Sequence, residues 1–374
     1  MLQRKTTKLI NKHLLMSLVV VAFTSTSLEL AYAQKNQTAT KKKSSDISLT
    51  SDDKIFLELR EASKNNEASK AKDLGQKLSN YDIADYVAYF QIKPRLFDKG
   101  GAPRAETMAD DAVDQFLKKY DGTALADRLR NDWLLVLGKR KDWPTFDREY
   151  AQFVLDDDTQ VKCYALQSRL TKGETVNVLA AEVKNILLDS RYFGDACPDL
   201  VNSIYKANGF SKHEVATFSR MAVENNFETL ANRFDVPDPM ADIVRSARKS
   251  PEVAFRDFDK KAWRTSKENA AAAWGSVGQY LAKKLDPNGL KAFKMQHELG
   301  HHHLLTPETQ EWKVRAALRE GDWRIVKETI DHMTPSVRKR DPAWTYWHAR
   351  AQKELGDESL AKEKMKCVNR YSKY

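Results

Sequence analysis

The chain has 374 residues, 41% hydrophobic and 30% charged, and a formal net charge of +10. That length accommodates one extended domain or two compact ones. Fourteen glycines and eleven prolines are too few backbone breaks for a hairpin-rich chain, and Ala, Leu, Lys, Arg and Glu are strong helix formers, so the expected class is all-α.

Residues 1–33 read as a secretory signal. Arg4, Lys5, Lys8 and Lys12 form a basic start, Leu14 to Phe23 an apolar run, and Ala31-Tyr32-Ala33 a small-x-small cleavage site. The apolar run is too short for a membrane anchor, which needs roughly 20 residues, and no other segment could span a bilayer. The chain is therefore expected to be exported, to a periplasm-like compartment, with no membrane span after signal removal. Cleavage there removes four basic residues and Glu29, and leaves a basic chain. A basic exported protein suits an anionic polymer such as cell wall or lipid headgroups, although such a charge also serves solubility alone. Nucleic acid is not an expected partner, because the basic residues are spread along the chain and no nucleic-acid-reading motif accompanies them.

Residues 34–52, with Lys41-Lys-Lys-Ser-Ser45, lack an apolar period and are expected to form a flexible basic leader. Ser51-Asp-Asp53 then offers a helix cap before Ile55, Phe56 and Leu59. From residue 53 to the end, no strand alternation is sustained beyond four residues. Turn signals recur at Lys99-Gly-Gly-Ala-Pro103, Tyr120-Asp-Gly122, Asp156-Asp-Asp158, Lys172-Gly173, Asn208-Gly209, Asp235-Val-Pro-Asp-Pro239, Asp286-Pro-Asn-Gly289, Thr306-Pro307, Asp341-Pro342 and Leu355-Gly356. Their spacing predicts helices of about 10 to 20 residues arranged in pairs. Trp344, Trp347, Ala351 and Leu355 mark one helical face, and Trp312, Ala316 and Trp323 are read as another. Such stripes cannot be buried by one short helix, so neighbours must stack, and an α-superhelix of stacked helix pairs follows, running over residues 53–374. Most tryptophans then belong to the packing seam rather than to sugar-stacking platforms.

Cys163, Cys197 and Cys367 remain to be placed. In an oxidising compartment, Cys163 and Cys197 are the couple that fits, since both lie in helical segments one repeat apart; two buried thiols are the alternative. The bridge would close a loop of about 35 residues and add roughly 3 to 4 kcal/mol. Cys367 would be left free.

His297-Glu-Leu-Gly-His301 matches the HExxH pattern of zinc metalloproteases. On a continuous helix, His297 and His301 would share a face and bind one Zn²⁺, with Glu298 as the base acting on its bound water. Leu304 to Pro307 fill the space where the extended pattern would supply a third ligand, leaving Glu320 and Glu328 as the available substitutes. The segment also fits as the helix preceding the Trp312 repeat, and His297, His301, His302 and His303 together could bind metal adventitiously. No catalytic or cofactor-binding residue is expected, since phosphate loop, nucleophile elbow and Cys-x-x-Cys pair are all missing from the sequence. Asp110-Asp111 and Asp156 to Asp158 lie where helix caps and solvated faces explain them.

Several segments, in order, resemble the N-terminal part of the soluble lytic murein transglycosylases. They are Leu78-Ser-Asn-Tyr81 with Tyr86 and Tyr89, Ala124 to Leu134 with Lys141-Asp-Trp143, Val161 to Leu166, and Asp195-Ala-Cys197. Ala272-Ala-Trp274 with Leu285-Asp-Pro287, Trp312 to Leu318, Gly321-Asp-Trp323, and Pro342 to Trp347 with Ala349-Arg-Ala351 complete the set. The resemblance runs from about Leu74 to Tyr374 and implies a U- or ring-shaped α-superhelix that embraces peptidoglycan glycan strands and docks other cell-wall enzymes. In that family a glutamate in a Glu-Ser motif of a C-terminal lysozyme-like domain does the chemistry, closing a 1,6-anhydro ring without water. No linker domain, Glu-Ser motif or lysozyme-like segment follows Tyr374, so the chain is expected to be truncated before any catalytic domain and inactive alone. Family members often carry cysteines at positions corresponding to Cys163 and Cys197. The expected function is a superhelical, peptidoglycan-associated module, the alternatives being a non-enzymatic helical-repeat interaction protein of the envelope and a zinc hydrolase using His297, Glu298 and His301.

Overall fold

A computed structural model of the chain describes residues 49–106, 109–190 and 192–357. The expected signal, most of the leader and Cys367 lie outside the described residues. The chain divides after Leu57 into two compact units. Of the first, only the opening of helix α1 (Ser51–Lys64) is described. Its cap is Thr50 rather than Ser51: Thr50 Oγ1 accepts from the Asp53 amide at 3.1 Å, and Asp53 Oδ2 accepts from the Thr50 amide at 2.9 Å. This reciprocal pair satisfies two amides that have no partner within the helix.

The second unit begins within α1, where Leu59 and Ala62 are buried. It continues through α2 (Ala68–Gln76), α3 (Ala84–Ile92), α4 (Asp110–Lys119), α5 (Ala124–Arg140), α6 (Trp143–Tyr150), α7 (Thr159–Thr171), α8 (Val176–Asp189) and α9 (Ala196–Lys206). Then follow α10 (Lys212–Glu224), α11 (Glu228–Ala231), α12 (Ala241–Lys249), α13 (Pro251–Asp259), α14 (Lys267–Lys283), α15 (Asn288–Leu299), α16 (Pro307–Glu320), α17 (Trp323–His332), α18 (Pro335–Arg340) and α19 (Pro342–Glu354). Among the described residues there is no strand, only an isolated bridge between Phe97 and Pro103. The protein is all-α, as composition implied. Several helices are shorter than the turn signals suggested, down to the four residues of α11.

Packing follows the chain. α5 rests on α6 and α7, α7 on α8 and α9, α12 on α13 and α14, α14 on α15 and α16, and α17 on α19. Contact with the next helix and the next but one is the signature of stacked helix pairs. The apolar core is accordingly a succession of clusters, one from Tyr89 to Val244, one around Trp274 and one around Trp344.

The repeated Asp-Trp signal has a local cause. At Lys141-Asp142-Trp143 and Gly321-Asp322-Trp323, the first residue ends a helix in the left-handed conformation (φ 60° and 70°). The aspartate then caps the next helix through the amides of Thr145 and Ile325. Trp323 therefore opens α17 and does not extend the Trp312–Ala316 face of α16. Both indoles pack on the core around the buried Trp344, whereas Leu355, expected on that face, is exposed at the end of α19. Trp263 is the tryptophan that escapes the seam, 75% exposed with Arg264 stacked over it. Gly289, expected in a turn, lies inside α15, where an added Cβ would meet the Ala282 backbone at 2.9 Å.

Candidate functional site

Two stretches distant in sequence face each other across a cleft of about 670 Å³. One side is built by Lys184 and Leu188 of α8 and by the start of α10; the other by the turn after α15 and the ends of α16, α17 and α18. Leu188, Phe218, Leu304 and Leu305 supply its apolar surface. Polar groups come from helix starts. Ser211 and Glu214 form a capping box at α10, with His213 between them and Lys184 ion-paired to Glu214. Glu268 stands in the first turn of α14, Gln310 in that of α16, and Thr334 caps α18. His301, His303 and His332 complete the lining. The first turns of three helices longer than eight residues thus open onto one space, and helix N-termini carry partial positive charge.

A second cavity of about 530 Å³ shares Leu188 and Pro307 with the first and contains Glu224. Burial pushes the Glu224 carboxyl above the usual range, while Arg220, Ser276 and Thr306 hold it down. The Ser276 hydroxyl donates to it at 2.6 Å, and the Tyr280 hydroxyl donates to the Glu224 backbone carbonyl at 2.6 Å. From here a polar seam runs through the interior. Arg220 lies 3.7 Å from Asp238 and donates to the Leu304 carbonyl. The Thr309 hydroxyl donates to Gln279 Oε1 at 2.5 Å, and the buried Lys313 ammonium donates to Gln296 Oε1 at 2.6 Å. Gln296 Nε2 donates in turn to the Gly300 carbonyl at 2.8 Å.

That last bond ends α15. Gly300 and His301 both adopt positive φ, 76° and 54°, so the helix stops at Leu299 and His301 lies beyond it. The shared face that HExxH requires is not built, which speaks against the zinc alternative at His297, Glu298 and His301. His297 Nε2 instead pairs with Glu328 Oε2 at 2.9 Å, Glu298 is exposed, and His301 turns into the cleft. Glu320, the other substitute ligand, pairs with Arg319. Among the described residues no three His, Cys, Asp or Glu side chains are grouped as metal ligands. His302 packs between His297 and His332, with ring centroids 5.2 and 4.2 Å away. Burial first, and then the Lys313 charge, push the His302 pKa down to about 4 and hold His297 low.

The structure joins Cys163 of α7 to Cys197 of α9, with Cα atoms 5.2 Å apart. Asp110 does more than start a helix, accepting from Trp133 Nε1 at 2.7 Å and Arg140 Nη1 at 2.6 Å. His213, His332, Arg220, Glu224 and Lys313 were not singled out from the sequence. Lys313 did leave a signal there: it lies four residues after Thr309 and four before Ala317 on a face that is otherwise small or apolar.

No family model matches the chain, and neither does any curated protein. Among solved structures, an inactive mutant of the lytic transglycosylase Slt from Pseudomonas aeruginosa is 19% identical, with 81% of this chain and 53% of that one covered and a TM-score of 0.36. The 70-kDa soluble lytic transglycosylase in complex with bulgecin A is 17% identical, covering 85% and 55%, with a TM-score of 0.34. The same figures with 16% identity hold for the 70-kDa soluble lytic transglycosylase from Escherichia coli. The chain spans about half the length of these proteins. At such scores the likeness carries no structural argument, and the all-α assignment rests on the chain's own helices. Among the described residues no helix is long and apolar enough to cross a membrane.

Proposed function

We propose that the chain is an exported helical module of the cell envelope that holds peptidoglycan glycan strands, the scaffold part of a lytic murein transglycosylase-type protein. The observation that carries this reading is the cleft between residues 184–218 and 301–334. Its leucine and phenylalanine surface is ringed by imidazole, carboxylate, amide and hydroxyl groups, the mixture an amphipathic saccharide requires. The basic balance of the chain, the signal-like residues 1–33 and the ordered segments resembling that family support the same reading. The module binds without cleaving, in a periplasmic setting, and the exposed Trp263 is a point at which other wall enzymes could dock. Incubation of the purified chain with murein sacculi tests it. Co-sedimentation weakened by salt, without 1,6-anhydro products, is expected. Failure to sediment with sacculi would remove the glycan reading, and anhydro products would overturn the claim that the module is inert.

A further inference from the structure

We propose that the larger cleft binds a carboxylate carried by its ligand, among the imidazoles of His213, His301, His303 and His332, with His303 taking up a proton as the ligand binds. The inference deepens the glycan-holding reading by stating which part of a wall fragment the cleft selects. Four imidazoles reach one space from three segments, the start of α10, the turn after α15 and the end of α17. They are not placed as metal ligands. What remains for them is hydrogen bonding, and a protonated imidazole donates from both nitrogens.

The other charges facing the cleft are few. Lys184 of α8 and Glu214 of α10 pair with each other, and Glu268 comes from α14. Behind the wall stand His302, His297, Lys313 and Glu328. At neutral pH Lys184, Glu214 and Glu268 therefore leave the cleft a slight negative balance despite its helix N-termini, and a proton on His303 cancels it. Carboxylic acids ionise near pH 4, so a ligand carboxylate keeps its charge while His303 gains a proton. Burial first, then His301 and His213, hold the His303 pKa low, with Glu214 and Glu268 opposing. A bound carboxylate would offset that repulsion, so binding takes up protons.

Calorimetric titration of the full chain at pH 7.5 and 5.0 tests this, with circular dichroism verifying the fold at both. The probes are a peptide-bearing GlcNAc–MurNAc disaccharide, neutral chitotetraose and lactate. The carboxylated disaccharide is expected to bind on the order of tenfold tighter at pH 5.0, with the gain lost in His303→Gln. His303→Arg, which fixes the charge, should bind tightly at both pH values. Equal binding of both saccharides without pH dependence overturns the carboxylate inference and leaves the glycan reading standing. Lactate binding that strengthens at pH 5.0 with no saccharide bound keeps the inference and removes the glycan reading. No binding by any probe overturns both.

Discussion

Lys313 is a fully buried ammonium held by the side-chain oxygen of Gln296. Burial pushes its pKa down to about 8, with Glu328 pulling the other way. A lysine whose pKa lies lower in the folded chain than in the unfolded one binds its proton more weakly when folded. Its charge therefore costs stability in full below pH 8, and the cost vanishes as pH rises toward about 10. Replacing Lys313 by Met removes the buried charge and leaves one Gln296 oxygen unpaired, which returns part of the gain. The variant is expected to be about 1 to 2 kcal/mol more stable than the parent at pH 7 in urea unfolding, with the difference closing near pH 10. A less stable variant at pH 7 would mean that the bridge from Lys313 through Gln296 to Gly300 outweighs the desolvation of its charge.

Between elements, the sulfur link of α7 to α9 joins helices that already pack as next-but-one neighbours. It constrains the unfolded chain more than it adds contacts, so Cys163→Ser with Cys197→Ser, or a reductant, should lower stability by roughly 3 to 4 kcal/mol. An unfolding midpoint indifferent to reductant would show that the thiols are unpaired in the purified protein. Elements of this kind were legible in the sequence because their signals are local. Thr306-Pro307 and Asp341-Pro342 cap and open α16 and α19 where the turn chemistry placed them. The spacing of His297 and His301 suited a zinc site only on a continuous helix, and Gly300 between them is a local stop signal against that. What the sequence does not announce is that Gln296, paired with Lys313 of the following helix, holds the Gly300 carbonyl. The cleft was illegible for the same reason, since His213 and His303 lie ninety positions apart and meet only through folding.

For the second unit as a whole, a stack of helix pairs has near-neighbour contacts and no obligation to unfold in one step. Longer-range connections break that rule: α8 touches α18, α10 touches the turn after α15 with Arg220 reaching the Leu304 carbonyl across 84 residues, and Ser276 and Tyr280 of α14 donate to Glu224 at the end of α10. Arg220 also faces the buried Asp238, Thr217 and Glu224, so it supplies the main positive charge to an interior that holds two carboxyls, with Arg245 a lesser influence on Asp238. Its loss leaves those groups and a buried carbonyl uncompensated, at a cost of about 3 to 5 kcal/mol. Arg220→Met is expected to lower the urea midpoint and to divide one transition into two. In hydrogen exchange, amides from residue 301 onward should lose protection before those of α5 and α7. The cleft should lose its ligand in parallel, because its wall at residues 301–305 is held by that guanidinium. A variant that unfolds in one step with uniform protection would show that stacking alone couples the two ends, and that the long-range bond only orients the turn.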